Sequence, residues 1–99
     1  MNSIEGVLLI LEERVEQQIK HGRTVEDDVK YNNDSQLSFA ASSLIRDYLH
    51  NMSPSMIRLQ CPNNWNLQHW HKMCNKPYKE RLIIAGALIA AEIDRVNNN

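Results

Sequence analysis

The chain has 99 residues and a mass of 11.5 kDa, room for one domain, since independent domains usually run to about 100 residues or more. Eleven Lys and Arg against twelve Asp and Glu leave a formal charge of −1, which removes the general attraction that bulk nucleic-acid binders rely on. The longest strongly apolar run, Leu82 to Ala91, is about half of a bilayer span, and no basic segment precedes the N-terminal apolar run; the expectation is a soluble protein of the cell interior with no membrane partner.

From Ser3 to His21, Ile4, Val7, Leu8, Leu11, Val15 and Ile19 recur at spacings of three and four, which predicts a helix with one buried stripe. Ser3 is its candidate N-cap. Glu5 in the first turn and Lys20 and His21 in the last suit the macrodipole, and Gly22 supplies a left-handed stop. On a helical wheel Gln18 falls inside the apolar sector and Arg14 at its edge, a local inconsistency. Residues 22–34 show no period and carry turn formers at both ends, so they read as an ordered loop.

Asp34 or Ser35 then caps a second helix, about 35–51, with Leu37, Ala40, Ala41, Leu44, Ile45, Tyr48 and Leu49 on one face. Its middle, Ala40 to Ser43, is all small residues, which lets a neighbouring helix approach closely. Residues 52–76 hold Pro54, Pro62, both tryptophans and both cysteines without lasting periodicity, although Ser55 to Leu59 or Leu67 to Met73 suit a turn or two of helix. A connection this long needs packing of its own, and Trp65 and Trp70 are the anchors available.

Asn75 and Pro77 open a third helix, about 77–96, with proline in the first turn where its missing N–H costs least. Leu82 to Ala85, Ala87 to Ala91, Ile93 and Val96 make that helix apolar over most of its circumference, so it must be covered on more than one side. Gly86 inside it costs roughly 1 kcal/mol relative to Ala, a cost understood if another backbone passes close by. The predicted class is therefore all-α: a small three-helix bundle with a short helical connection, completed by homo-oligomerisation because a chain this short is marginal alone.

Arg81 and Glu92 sit in the otherwise apolar face of the third helix, three turns or about 16 Å apart, so each needs another partner. They either form inter-helix or inter-subunit salt bridges or line a polar pocket in which Arg81 grips an anion. Arg14, Gln18, Glu26, Asp27 and Asp28 are the candidate companions. Trp65, Trp70 and Tyr78 either close the core or place a stacking surface beside Arg81 and Lys76, the minimum equipment for a nucleotide. Cys61, His69, His71 and Cys74 are zinc-ligand types, but their spacing matches no known finger, and Cys74 with His71 lacks the groups that accompany a nucleophilic pair. Thiols are the expectation for both cysteines.

Glu13-x-x-Glu16 with Asp28 and Glu92 suggests Mg²⁺ held between helices. Helical nucleotide pyrophosphohydrolases of the MazG type use such carboxylates in a Glu-x-x-Glu and later Glu-x-x-Asp arrangement, but here Arg95 stands where the second acid of the later motif should be.

Four stretches in order carry a resemblance: Glu13-Arg14 with Gln18-Ile19; Gly22, Thr24 and Asp27-Asp28; Trp65 and Trp70 with Lys76-Pro77; and Arg81-Leu82 through Ala85-Gly86-Ala87-Leu88-Ile89 to Glu92-Ile93 and Arg95. Together they resemble a group of small uncharacterised phage and prophage proteins. Arg23 stands where the group tends to have Trp, and Glu26 where it tends to have His. The resemblance implies a phage origin and the host-cell cytoplasm, and supplies no activity. By analogy with oligomeric sponges of similar size, the expected function is retention of an anionic ligand, a nucleotide or cyclic-nucleotide immune signal, without turnover, cofactor or metal. Arg14, Lys76, Arg81 and Arg95 would serve phosphates, Trp70 would stack, and Gln18, Thr24, Asp27, Asp28 and Glu92 would supply the remaining polar contacts. The alternatives are a Mg²⁺-dependent pyrophosphohydrolase using Glu13, Glu16, Asp28 and Glu92, and a protein inhibitor of a host defence enzyme that docks through the last helix.

Overall fold

In the computed structural model, which describes residues 3–50 and 60–98 (side chains over 3–46 and 60–98), the chain is an all-α bundle. Its helices are α1 (Glu5–Ile19), α2 (Val25–Tyr31), α3 (Gln36–His50), α4 (Leu67–Cys74) and α5 (Tyr78–Asn97). Helix α5 is the axle, touched by each of the other four. No helix among the described residues is long and apolar enough to cross a membrane. The turn expected at Ser55 to Leu59, and the side chains of Tyr48 and Leu49 in the second stripe, lie outside the described residues.

The core is the α3–α5 seam closed by α4. Leu37, Ala40, Ala41 and Leu44 of α3 meet Ile84, Ala85, Leu88 and Ala91 of α5, with Trp70 and Cys74 of α4 completing the cluster. Alanines on both faces bring the two axes close, so that the larger Leu37, Leu44 and Leu88 fill the space between them with no exposure. Trp70 is likewise fully buried and meets the half-buried Trp65 edge to face, ring centres 6.1 Å apart. The connection is thus pinned from inside.

Helix α2 lies where the sequence reads as loop. Thr24 accepts the Asp27 backbone N–H at 3.1 Å, and Glu26, Asp27 and Asp28 crowd the first turn, a cap and charge pattern that starts a helix even with no apolar period. Seven residues are too short for periodicity to announce. At α1 the cap differs from expectation: Ile4 occupies the N-cap without a side-chain bond, while Ser3 Oγ takes the Glu5 N–H at 3.3 Å. Gly22 does adopt φ +62°, and the Arg23 N–H returns to the Gln17 carbonyl at 3.1 Å. At α3, Gln36 bridges the entry, its Oε1 accepting from Asp34 N and its Nε2 donating to the Tyr31 carbonyl. Pro77 is the N-cap of α5, one place before the first turn.

The largest departure concerns α1. The stripe expected to be buried is outside: Ile4 and Val7 are 67% exposed, Leu11 55% and Ile19 77%. The residues buried against the chain are Arg14 and Gln17, with Ile10 and Glu13 half-buried beside them. Gln18 is exposed together with the stripe. Arg14 Nη2 donates to Asp94 Oδ2 of α5 at 3.1 Å, and Asp94 thereby takes the part expected of Glu92. Glu92 instead pairs with Arg95 one turn on.

Gly86 is explained by a side chain rather than by a backbone. A Cβ there would lie 2.6 Å from Ile10 Cδ1 and 2.8 Å from Ile10 Cγ1, so the missing side chain is the slot into which α1 inserts Ile10. Gly86→Ala should therefore lower stability in denaturant melts by about 1–2 kcal/mol, overpacking outweighing helix propensity. In an Ile10→Ala background the same change should stabilise by up to about 1 kcal/mol; additive effects of the two substitutions would refute the slot.

Candidate ligand-binding cleft

Two adjoining hollows run between the end of α1, the α1–α2 turn, α4 and the start of α5. The larger, about 710 Å³, includes Glu13, Glu16, Gln17, Lys72, Lys76 and Glu80. The smaller, about 360 Å³, includes Asp27, Asp28, Tyr31, Asn32, Trp65 and Asn66. His21, Arg23, His69 and Met73 line both, making one cleft with Arg23 at the junction.

Local geometry sets each wall. The left-handed Gly22 turns the chain so that Arg23 lies back over the Trp65 ring, its guanidinium carbon 4.6 Å from the ring centre. Asn64, also left-handed at φ +68°, turns the chain just before Trp65, whose backbone N–H closes onto the Pro62 carbonyl; asparagine tolerates that region better than most residues. Trp65 Nε1 donates to Asn32 Oδ1 at 2.8 Å, and Asn32 Nδ2 donates to Asp28 Oδ1 at 2.8 Å. Asn66 starts α4 on the far wall, its side-chain oxygen accepting the His69 N–H at 2.9 Å.

Several buried polar atoms on this cleft have no hydrogen-bond partner: Asp28 Oδ2, Gln17 Oε1 and Arg23 Nη1. Asp28 is 2% exposed and Gln17 5%. Such atoms are costly to leave unsatisfied. They are of both kinds, two acceptors and one donor. Burial pushes the Asp28 carboxyl above its ordinary range against the pull of Asn32, Arg23 and Arg14. Burial and Glu16 push Glu13 upward too. His69 is held below its usual range by burial and by the positive charges of Arg23 and Lys72 nearby, and its ring meets His21 edge to face at 5.4 Å.

The residues singled out from the sequence divide. Asp27, Asp28 and Lys76 stand on the cleft. Thr24 spends its hydroxyl capping α2, and Gln18 faces outward while its neighbour Gln17 faces the cleft. Trp70 cannot offer a stacking face, because it is fully buried in the core; the large aromatics on the cleft are Trp65 and Tyr31. Arg81 is 6% exposed under the Tyr78 ring, 5.7 Å from its centre, and is not among the cleft residues. Arg14 gives one Nη to Asp94 while its Nε and Nη1 stay buried without a hydrogen-bond partner, and it is not among the residues lining the cleft; Arg95 and Glu92 pair with each other. Sequence reasoning misses Arg23, His21, His69 and Lys72 as cleft residues. Arg23 carries one signal: it directly follows the glycine that reverses the chain.

Among the described residues no three His, Cys, Asp or Glu gather as a metal site. Glu13 and Glu16 share the larger hollow, Asp28 lies in the smaller and Glu92 is paired with Arg95. Cys74 is buried in the core, and the Cys61 thiol packs on the Pro62 and Trp65 carbonyls. Compared with protein-family models, curated proteins and solved structures, the chain matches none.

The raised Asp28 carboxyl fixes a pH dependence. The folded state holds that proton more tightly than the unfolded chain, so this group's contribution to stability is greatest below the ordinary value of 3.8 and falls as pH rises through the interval up to the folded value. Urea melts from acid to neutral pH should show a smaller fall for Asp28→Asn than for the natural chain. An unchanged slope would mean that Asp28 does not titrate in this interval.

Proposed function

We propose that the cleft binds a small anionic ligand of nucleotide type and retains it without turnover. The observation that carries the reading is the pairing of opposite needs on one cleft: a buried donor at Arg23 and buried acceptors at Asp28 and Gln17. A simple anion would serve Arg23 and repel Asp28; a simple cation would do the reverse. A nucleotide carries both phosphate oxygens and base N–H donors. Its phosphates suit Arg23, Lys72 and Lys76, and its base suits the hollow between Trp65 and Tyr31, with Asp27 and Asp28 as acceptors. The volumes of both hollows lie within the usual range of small-ligand sites.

In the phage setting implied by the resemblance, this is stoichiometric capture of a nucleotide or cyclic-nucleotide immune signal. The alternative of a Mg²⁺-dependent pyrophosphohydrolase draws support from Glu13 and Glu16, which stand side by side on the cleft. The two readings part in one experiment. The chain is incubated with a panel of mononucleotides and cyclic dinucleotides with Mg²⁺, recovered, denatured, and the released compound analysed. Intact compound in amounts matching the protein supports capture. Conversion of an excess by trace protein overturns it in favour of hydrolysis.

For whichever nucleotide is retained, Arg23→Ala should weaken affinity by roughly a hundredfold, about 2.7 kcal/mol, with helix content unchanged. Trp70→Phe should affect stability and leave affinity alone. Because Arg23 and Lys72 help to hold His69 low, a phosphate seated beside them should raise its pKa, followed by NMR titration of the imidazole with and without nucleotide. A His69 pKa indifferent to bound nucleotide would place the phosphate elsewhere.

A further inference from the structure

Helices α1 and α5, packed on each other, together carry ten large aliphatic side chains that the chain leaves 40–77% exposed: Ile4, Val7, Leu8, Leu11, Val15 and Ile19 on α1, and Leu82, Ile89, Ile93 and Val96 on α5. We propose that these two stripes are the docking surface for a second copy of this chain, α1 and α5 of each copy meeting α1 and α5 of the other about a two-fold axis.

Two observations call for a cover over these stripes, and a third fits that cover to a second copy. The first is inversion: α1 turns Arg14 and Gln17 toward its own chain and its apolar side outward, the reverse of the usual amphipathic arrangement and one that covering the outer side would stabilise. The second is spacing. Ile4, Leu8, Leu11 and Val15 follow one another at four, three and four residues, the seam by which one helix packs along another. The third is area. Full burial of a Leu or Ile corresponds to roughly 60–120 Å² at the usual transfer coefficient, so ten such side chains at these exposures offer about 330–660 Å². The upper end, doubled for two copies, reaches the ~1,200 Å² total at which stable interfaces begin, and a bare patch of this order commonly marks an interaction surface. A two-fold arrangement is self-complementary, so one chain supplies both halves of the contact.

The proposal stands whatever the cleft holds, although the two regions touch. Glu16 lines both the cleft and a shallow hollow formed with Leu11, Glu12, Val15, Ile19 and Lys20, which places the docked copy against the cleft wall.

Sedimentation equilibrium of the full chain across the micromolar range tests it. The natural chain is expected at twice the 11.5 kDa chain mass or at a multiple of that dimer. Leu11→Glu combined with Ile93→Glu is expected at the single-chain mass with its helical circular dichroism retained. Ile19→Lys, at the most exposed position of the set, should raise the dimer dissociation constant at least tenfold and decides the matter where the double variant does not fold. A natural chain that stays at 11.5 kDa overturns the proposal, as does an assembly whose dissociation constant is unmoved by Ile19→Lys.

Discussion

The orientation of α1 is the constraint on which the other features rest. A helix has one apolar stripe, and it can face the chain's own core or face away from it. Here the inward side is set by three fits to α5 and the cleft: Ile10 enters the slot left by Gly86, Arg14 reaches Asp94, and Gln17 turns toward the cleft beside Glu13. Each occupies the side opposite or oblique to the stripe, so satisfying them sends Leu11, Val15 and Ile19 outward. The same rotation delivers Glu13, Glu16 and Gln17 to the cleft. Polar wall and bare stripe are two consequences of one rotation.

Much of the architecture is legible in the chain. The helical class, the α3 stripe and the left-handed stop at Gly22 all follow from spacing and from backbone chemistry, because those signals are local. The orientation of α1 is not, since periodicity reports that a stripe exists and says nothing of what it faces. The clue lies in a conflict visible on the wheel: Arg14 crowds the edge of the apolar sector, and a glycine interrupts an otherwise good helix at position 86. Each makes sense once Ile10 and Arg14 are inserted into α5. Helix α2 escapes a search for periodicity because its start is written in a cap, Thr24 with three acids, and not in a hydrophobic period.

The candidate site is legible in composition more than in position. The sequence leads one to expect an arginine, an aromatic and loop acids together, and a set of that kind is found, but built from Arg23 and Trp65 in place of Arg81 and Trp70. The two tryptophans share a cluster. Which of them turns its face to the cleft depends on the turn at Asn64 and on the bond from Trp65 to Asn32, long-range details that no local rule contains. Arg81 and Arg23 differ in the same way. The first points from the opening turn of a packed helix beneath Tyr78, and the second leaves a glycine turn with freedom to lie across an indole.

Helix α1 is held to its own chain by the Ile10 insertion, by the ion pair to Asp94, whose side chain is 47% exposed, and by polar contacts. Its largest apolar residues contribute little to that hold because they point away from it. Elements with few buried apolar contacts sit at the low end of a protein's local stability, so α1 is open to stabilisation by whatever binds it. Ligand in the cleft would engage its inner side through Gln17 and Glu13, and a second copy its outer side through Leu11 and Val15. Either one stabilises the docked helix by mass action. Because each acts on the same rigid element, occupancy of one side lowers the cost of occupying the other. Ligand affinity and self-association, where both occur, would then be linked through a single helix, with Glu16 on the boundary between its two faces.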